Sequence, residues 1–246
     1  MNNNRKLTIL GHIRELRSRL LKCVIALVLT TVLCLVFAHQ IFAILTLPTG
    51  NINFIFIEMT EMLGTYMKVG FFGGVLLAMP YIIYQGVMFV LPALTPREKR
   101  MVSWVLPWVG LMFIGGVVFG YFVLIPPAVK FLVTFGNDIA TPQIRIGNYI
   151  SLVTRLLLAV GLVFELPVAT TFLARLGVVS SHWLAGKRKI AIIAAFILGA
   201  IITPTFDPIN QSLVAIPLIV LYEMSIWLAW LIQKGKRSAE ELTEAA

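Results

Sequence analysis

The chain has 246 residues, of which 59% are hydrophobic and only 13% are charged, and its mean hydropathy is +0.92. This composition is too apolar for a soluble domain, so it predicts an all-α integral membrane protein. The net charge is +9, but the basic residues flank apolar segments and form no folded basic domain, so the expected contact is with anionic lipids and no nucleic acid partner is predicted.

Six apolar runs are long enough, or nearly long enough, to be membrane-spanning helices. They cover residues 20–38, 69–91, 101–125, 150–173, 190–202 and 211–232. The fifth run would form about 20 Å of helix, which is shorter than a hydrocarbon core of about 30 Å. The sixth contains Pro217 and Glu223 and is predicted to be kinked and effectively short. The whole chain, 1–246, is therefore predicted to be a single polytopic membrane domain.

Orientation follows from lysine and arginine, which stay cytoplasmic when they lie in short loops. Most of the 20 basic residues lie before the first span, between the second and third, between the fourth and fifth, or after the sixth. Both termini are therefore predicted to be cytoplasmic, and residues 39–68 and 126–149 are predicted to be outer loops. The tail SAEELTEAA is typical of a disordered end.

Two acidic residues, Glu165 and Glu223, lie within predicted spans. A charge at mid-helix costs on the order of 3 kcal/mol, and the apolar neighbours of Glu165 outweigh this, so insertion is tolerated but the acid is not explained. Glu165, with Pro167 two residues later, is predicted to face the bundle interior or a watery groove. Two interpretations stay open: a structural hydrogen bond between helices, and a role toward a substrate or a membrane partner.

Two cytoplasmic segments each place one glutamate among basic residues. Glu15 lies in HIRELRSRL at the start of the first helix, and Glu98 lies in PALTPREKR between the second and third spans. Local neutralisation is the default interpretation, since surface ion pairs are each worth under about 1 kcal/mol. The alternative is that these carboxylates bind an incoming cation.

The chain contains no sequence motif typical of an enzyme. It has no HExxH, GxSxG or GxxxxGK[ST], and its three histidines lie on separate segments. Its two cysteines, Cys23 and Cys34, lie too far apart along one helix to bridge each other. We therefore expect no catalysis, no metal and no cofactor.

Several motifs, taken together in their order along the chain, resemble those of the TatC family, the polytopic core of the twin-arginine protein translocase. The resemblance is carried by HIRELRSRL (12–20), Pro48, YQGVMFVLPALTPREKR (84–100), YFVLIP (121–126), FELPVA (164–169), TPTFDPINQ (203–211) and LYE (221–223). It implies a concave, glove-like bundle of six helices in the inner membrane of a prokaryote. It also implies a receptor for the twin-arginine signal peptides of folded proteins, which are then exported by the proton-motive force.

The same resemblance implies roles for particular residues. Glu98 would receive the arginine pair, and Glu15 would help directly or hold the N-terminal segment against the loop. The implied signal-peptide site comprises Glu15, Arg17, Pro92, Leu94 and Glu98. TatA-like and TatB-like single-span proteins, in an oligomeric complex, would meet an intramembrane groove comprising Glu165, Pro167, Gln211 and Glu223. Pro48 and Asp207 would be structural residues of the outer loops.

Two other functions stay open at the level of sequence. One is a proton-coupled small-molecule carrier, in which Glu165, Asp207 and Glu223 relay protons. Such carriers often have internal repeats, and no convincing repeat is present. The other is a structural scaffold that gathers single-span helices through the short fifth and sixth spans.

Overall fold

The computed structural model describes residues 9–50, 52–90, 96–134, 143–202 and 208–244, without the side chains of 9–10, 90, 96–106, 210 and 235–244. Most of this described chain is helical. The α-helices are α1 (Ile9–Val36), α2 (Ala38–Thr46), α3 (Glu61–Val90), α4 (Pro96–Phe119), α5 (Ile125–Thr134), α6 (Ile146–Phe164), α7 (Leu166–Arg175), α8 (Ser181–Gly186), α9 (Arg188–Ile202) and α10 (Pro208–Glu244). Two short strands, β1 (Phe54–Ile55) and β2 (Ile144–Arg145), pair in parallel.

Within the described residues, five helical segments are long and apolar enough to cross a membrane. They are Gly11–Val36, Glu61–Phe89, Pro107–Thr134, Ile146–Arg175 and Gln211–Lys234. The predicted all-α membrane fold is thereby confirmed. The remaining predicted span corresponds to α9, whose 15 residues make about 22 Å of helix and fall short of the hydrocarbon core. A count of six spans and the side on which the termini lie stay predictions.

The sixth predicted span differs from expectation. Helix α10 runs through 37 residues, and its apolar segment Gln211–Lys234 has 24 residues, or about 36 Å of helix, so the prediction of a short sixth helix is wrong. Pro217 lies inside α10 without ending it, because one missing ladder hydrogen bond is tolerated where a helix packs closely against its neighbours, here α7 and α9. The backbone stays helical through Glu244, so the prediction that the tail is disordered is also wrong.

The predicted outer loops contain more helix than expected. Residues 39–68 include most of α2 and the first two turns of α3, and residues 126–149 include most of α5. Pro126 and Pro127 lie in the first turn of α5, where the missing N–H of a proline interrupts no hydrogen bond within that helix. A π-helical turn, residues 120–124, joins α4 directly to α5. The Ile125 N–H donates to the Gly120 carbonyl, five residues back, which is the hydrogen bond of a π-helix.

Helix α6 forms the centre of the bundle, and α1 lies at its edge. The α6 side chains of Ile150, Val153 and Leu156 are at most 1% exposed, and α6 packs against α3, α4, α9 and α10. Helix α1 packs chiefly against α3. The two backbones meet closely there, since a Cβ on Gly74 would lie 2.5 Å from the Cα of Thr31.

Candidate functional site

The first helix carries an ion pair at its predicted cytoplasmic end. The Arg19 guanidinium donates to the Glu15 Oε1 atom from Nη2 at 2.6 Å and from Nε at 3.0 Å. Its Nη1 atom donates to the Gln85 Oε1 atom on α3 at 3.2 Å. Gln85, only 5% exposed, in turn donates to the hydroxyl of Tyr81 at 2.7 Å. Arg19 therefore ties Glu15 to the buried face of α3.

A ring contact brings the start of α1 to the end of α3. His12 stacks on Phe89, with ring centroids 4.3 Å apart. Phe89 is the penultimate residue of α3, and α4 begins at Pro96, so Glu98 is the third residue of α4. Arg17 is exposed on α1. Residues 91–95, with the predicted site residues Pro92 and Leu94, lie outside the described residues, as does the side chain of Glu98.

Glu165 lies at a break in the fourth span, between α6 and α7. Pro167 causes this break, since it has no N–H to continue the helical ladder of α6. The Glu165 N–H donates instead to the Leu162 carbonyl, three residues back, at 3.1 Å. The Glu165 Oε1 atom is buried and has no hydrogen-bond partner among the described residues. The break thus presents a carboxylate with unused hydrogen-bonding capacity inside the bilayer.

A groove of about 440 Å³ runs between α4, α7 and α10. Its lining residues are Trp108, Met112, Pro167, Val168, Thr171, Arg175 and Leu228. The lining is mainly apolar, with one cation, Arg175, at the end of α7. The hydroxyl of Thr171 is buried and, like the Glu165 Oε1 atom, lacks a partner within the described chain. Of the four residues predicted for the partner groove, only Pro167 lines this one.

Two of the other three predicted groove residues, Gln211 and Glu223, have protein partners elsewhere. The Gln211 Nε2 atom donates to the Phe196 carbonyl of α9 at 2.8 Å. Glu223 accepts two hydrogen bonds from Arg188 at the start of α9, at 2.8 and 2.9 Å. This ion pair belongs to a separate groove against α8 and α9. Gln211 and Glu223 do not line the groove of α4, α7 and α10, and their role toward a membrane partner stays a prediction.

Pro48 lies next to two hydroxyl contacts at the opposite end of the bundle. The helical ladder would need a residue-48 N–H to reach the Ile44 carbonyl, and proline has none. The Tyr121 hydroxyl donates to that carbonyl at 2.7 Å, and the buried Tyr149 hydroxyl donates to the neighbouring Leu45 carbonyl at 2.7 Å. The two tyrosines thus fasten the end of α2 to the π-helical turn and to α6. Asp207, the other predicted outer-loop residue, lies outside the described residues.

Charged side chains also join the two outer segments. Arg145, the second residue of β2, donates to Glu61 at 3.0 Å and to Glu58 at 3.4 Å. The hydrogen bond to Glu61 raises the pKa of the Arg145 guanidinium above its usual value, so the pair stays charged. Lys68 reaches the Ser151 hydroxyl at 3.3 Å. Predicted outer residues therefore cluster at one end of the bundle.

The described residues contain several long apolar helices, one helix too short to span a bilayer and a buried carboxylate inside a span. These features define a polytopic membrane protein. The family model "Sec-independent protein translocase protein (TatC)" matches residues 11–217. The chain belongs to the TatC family and is a protein translocase component.

Relatives of similar length support this membership. The TatC protein of Carboxydothermus hydrogenoformans is 37% identical over 239 residues, which cover 96% of this chain and 98% of that protein. The TatC protein of Aquifex aeolicus is 38% identical over 236 residues, which cover 94% of this chain and 98% of that protein. A crystal structure of the twin-arginine translocase receptor TatC superimposes with a TM-score of 0.82 at 38% identity, covering 90% of this chain and 99% of that one.

Several residues of these contacts were not singled out from the sequence. Arg19 stands four residues after Glu15, which is the spacing of an intrahelical ion pair, so this contact had a local signal. The partners Gln85 and Arg188 had none, because their contacts join residues 66 and 35 positions apart. The tyrosine contacts span 77 and 104 positions, and only the missing N–H of Pro48 hinted that a carbonyl there needed a donor.

Proposed function

We propose that this chain is the receptor for twin-arginine signal peptides and the core of a translocase that exports folded proteins. It would work in the inner membrane of a prokaryote, with both termini in the cytoplasm, and would use the proton-motive force without a cofactor. The observation that carries this proposal is the joining of the α1 and α3 ends. His12 on Phe89 and Arg19 on Gln85 hold the helix of Glu15 against the end of α3, from which the chain continues toward Glu98.

Glu98 is the proposed ligand for the arginine pair. A carboxylate can hold a planar guanidinium through two parallel hydrogen bonds, whereas the compact ammonium of lysine acts as a point charge, so the site would favour arginine over lysine. Pro92, Leu94 and Arg17 would complete the binding surface around Glu98.

Glu15 is the proposed positioning residue. Its charge is already balanced by Arg19, and its Oε1 atom already accepts two hydrogen bonds. Moving Arg19 away would leave the amide oxygen of the buried Gln85 without this donor, and such a loss costs about 1–3 kcal/mol. Of the two roles predicted for Glu15, the contacts therefore favour holding the N-terminal segment in place over binding an arginine directly.

Photo-cross-linking of a twin-arginine signal peptide to the 91–100 segment, in membranes that contain the whole translocase, tests the ligand. Glu98→Gln removes the charge and keeps the size, and it should abolish the cross-link. The matched control is Glu58→Gln, which removes an exposed carboxylate at the opposite end of the bundle. Unchanged cross-linking of the Glu98 variant would reject Glu98 as the ligand.

The break at Glu165 is the proposed contact for single-span partners that resemble TatA or TatB. A buried carboxylate oxygen without a donor is costly, and a polar group on a partner helix would satisfy it. The neighbouring groove of α4, α7 and α10 offers apolar walls of the kind that a membrane helix packs against. Within the described residues no proton relay joins Glu165 to Glu223, which is held by Arg188, so no contact favours the small-molecule carrier.

Replacing Glu165 by alanine should block transport and leave signal-peptide binding intact. A Glu165→Gln variant keeps hydrogen-bonding capacity without the charge, so it distinguishes the need for a polar contact from the need for a charge. Normal export by the alanine variant would remove Glu165 from the mechanism. Loss of signal-peptide binding would instead mean that the break mainly supports the fold.

A further inference from the structure

A second groove lies on the predicted cytoplasmic side, between α8, the start of α9 and α10. It measures about 410 Å³, and its lining residues are Ser181, His182, Ala185, Arg188, Glu223, Ile226, Trp227 and Trp230. None of these residues lines the groove of α4, α7 and α10. The proposed signal-peptide and partner contacts therefore leave it unused.

The groove contains an ion pair that stays open to its surroundings. Arg188 and Glu223 are bound side by side, yet their side chains are 51% and 47% exposed. Glu223 engages the Nε and Nη2 atoms of Arg188, and the Nη1 atom stays outside that pairing. Each carboxylate oxygen accepts one hydrogen bond from Arg188 and has capacity for another. The site thus offers a hydrogen-bond donor and an anionic acceptor side by side.

The length of α9 places this ion pair at the level of lipid headgroups. Arg188 is the first residue of α9, and the helix is about 8 Å shorter than a hydrocarbon core of about 30 Å. Polar groups at the end of so short a helix must be met by headgroups drawn inward or by a thinned bilayer. The headgroup layer is therefore expected to reach the Arg188–Glu223 pair.

Aromatic and basic side chains around the groove mark a membrane interface. Trp183, Trp227 and Trp230 are all about half exposed, and tryptophan is enriched where hydrocarbon meets headgroups. The Nζ atom of Lys187 lies 5.9 Å from the ring centre of Trp183, and that of Lys234 lies 5.3 Å from the ring centre of Trp230. Lysines that lie above interfacial rings are well placed to contact lipid phosphates.

We propose that this groove binds one phospholipid whose headgroup carries both a phosphate and a primary ammonium, as phosphatidylethanolamine does. The phosphate would accept from Arg188, and the ammonium would donate to Glu223. A headgroup that bears only negative charge would meet repulsion from the Glu223 carboxylate. A choline headgroup has no N–H to donate. Charge complementarity therefore favours the primary-amine lipid, whose acyl chains would lie along Ile226 and the exposed face of α9.

Native mass spectrometry of the purified full chain tests this site. The protein is mixed with equal amounts of phosphatidylethanolamine, phosphatidylglycerol and phosphatidylcholine that carry identical acyl chains. We expect one retained phosphatidylethanolamine, at least fivefold over either other lipid. Equal retention of the three would mean annular binding only and would overturn the proposal, as would preferential retention of phosphatidylglycerol. This comparison needs no variant, so a folding defect cannot obscure it.

Two variants then assign the groups. Glu223→Gln should lower phosphatidylethanolamine to the level of phosphatidylcholine, and Arg188→Gln should lower the retention of all three lipids. Glu58→Gln breaks an exposed ion pair at the other end of the bundle and should change nothing. An unchanged preference in the Glu223 variant, with the thermal unfolding midpoint of the wild-type chain, would show that the carboxylate does not select the ammonium and would overturn the assignment.

Discussion

The pairing of Arg19 with Glu15 makes an unusual prediction about signal-peptide affinity. If Glu15 positions the N-terminal segment, then removing its partner should weaken binding, even though this removes a positive charge that repels the incoming arginines. Arg19→Gln and Glu15→Gln are therefore expected to lower affinity by similar factors, and the double variant should be no worse than either single one. Such non-additivity is the signature of two residues that act through one contact.

The size of this effect follows from the geometry. Two hydrogen bonds join Arg19 to one carboxylate oxygen, and the two side chains are 18% and 23% exposed. Fully exposed pairs contribute about 0.2–1 kcal/mol, and hydrogen bonds to charged groups contribute about 1.5–3 kcal/mol. A partly buried pair should lie between these two ranges, at the upper end of the first, so about 1 kcal/mol, or about fivefold in affinity, is expected for each variant.

The assay is the affinity of a twin-arginine signal peptide for the translocase in membranes. Lys22→Gln serves as the control, because it removes an exposed positive charge from the same helix and leaves the ion pair intact. Tighter binding by the Arg19 variant would refute the reasoning, since it would mean that Arg19 competes with the peptide for a ligand Glu15. Additive losses in the double variant would contradict it as well.

Two further predictions concern contacts that hold the bundle together. Tyr149→Phe removes the buried hydroxyl that donates to the Leu45 carbonyl and should lower the free energy of unfolding by about 1 kcal/mol. The control, Tyr84→Phe, should not lower it. Equal unfolding midpoints of the two variants in detergent would contradict this prediction. Gly116→Ala places a Cβ 2.8 Å from a side-chain carbon of α6 and should lower the free energy of unfolding by about 1–3 kcal/mol through overpacking. The Cβ of Gly115→Ala would have no atom within 4 Å, so this variant should leave the free energy of unfolding unchanged. Equal midpoints of the two alanine variants would refute the close approach of α4 and α6.

Hydropathy predicted most of the membrane fold, because a helix must satisfy its own backbone in lipid and so needs a long apolar run. The same argument found the short α9 and placed Glu165 within a span. It failed for α10, where polar residues follow Lys234 and yet the helix continues. Apolar length measures the part of a helix that lies in lipid, not the whole helix.

Only those features of the candidate sites that depend on neighbouring residues in the sequence were predicted. Glu15 among arginines pointed to an ionic site, but its link to α3 through Gln85 depends on how two distant helices pack. Glu223 was correctly placed within a span, but its partner, Arg188, was assigned only to a cytoplasmic loop. Long-range pairing of this kind leaves no periodic trace in the chain, so the grooves could not be separated before the helices were in place.

The π-helical turn at 120–124 has a consequence for insertions and deletions. It accommodates one residue more than a regular turn, so each side chain after it points about 100° away from where an uninterrupted α-helix would direct it. Deleting one residue there would restore the regular ladder and rotate Leu124 and Ile125, at most 2% exposed, out of the protein interior. A single surplus residue thus determines which side chains in the outer half of this span face the protein interior.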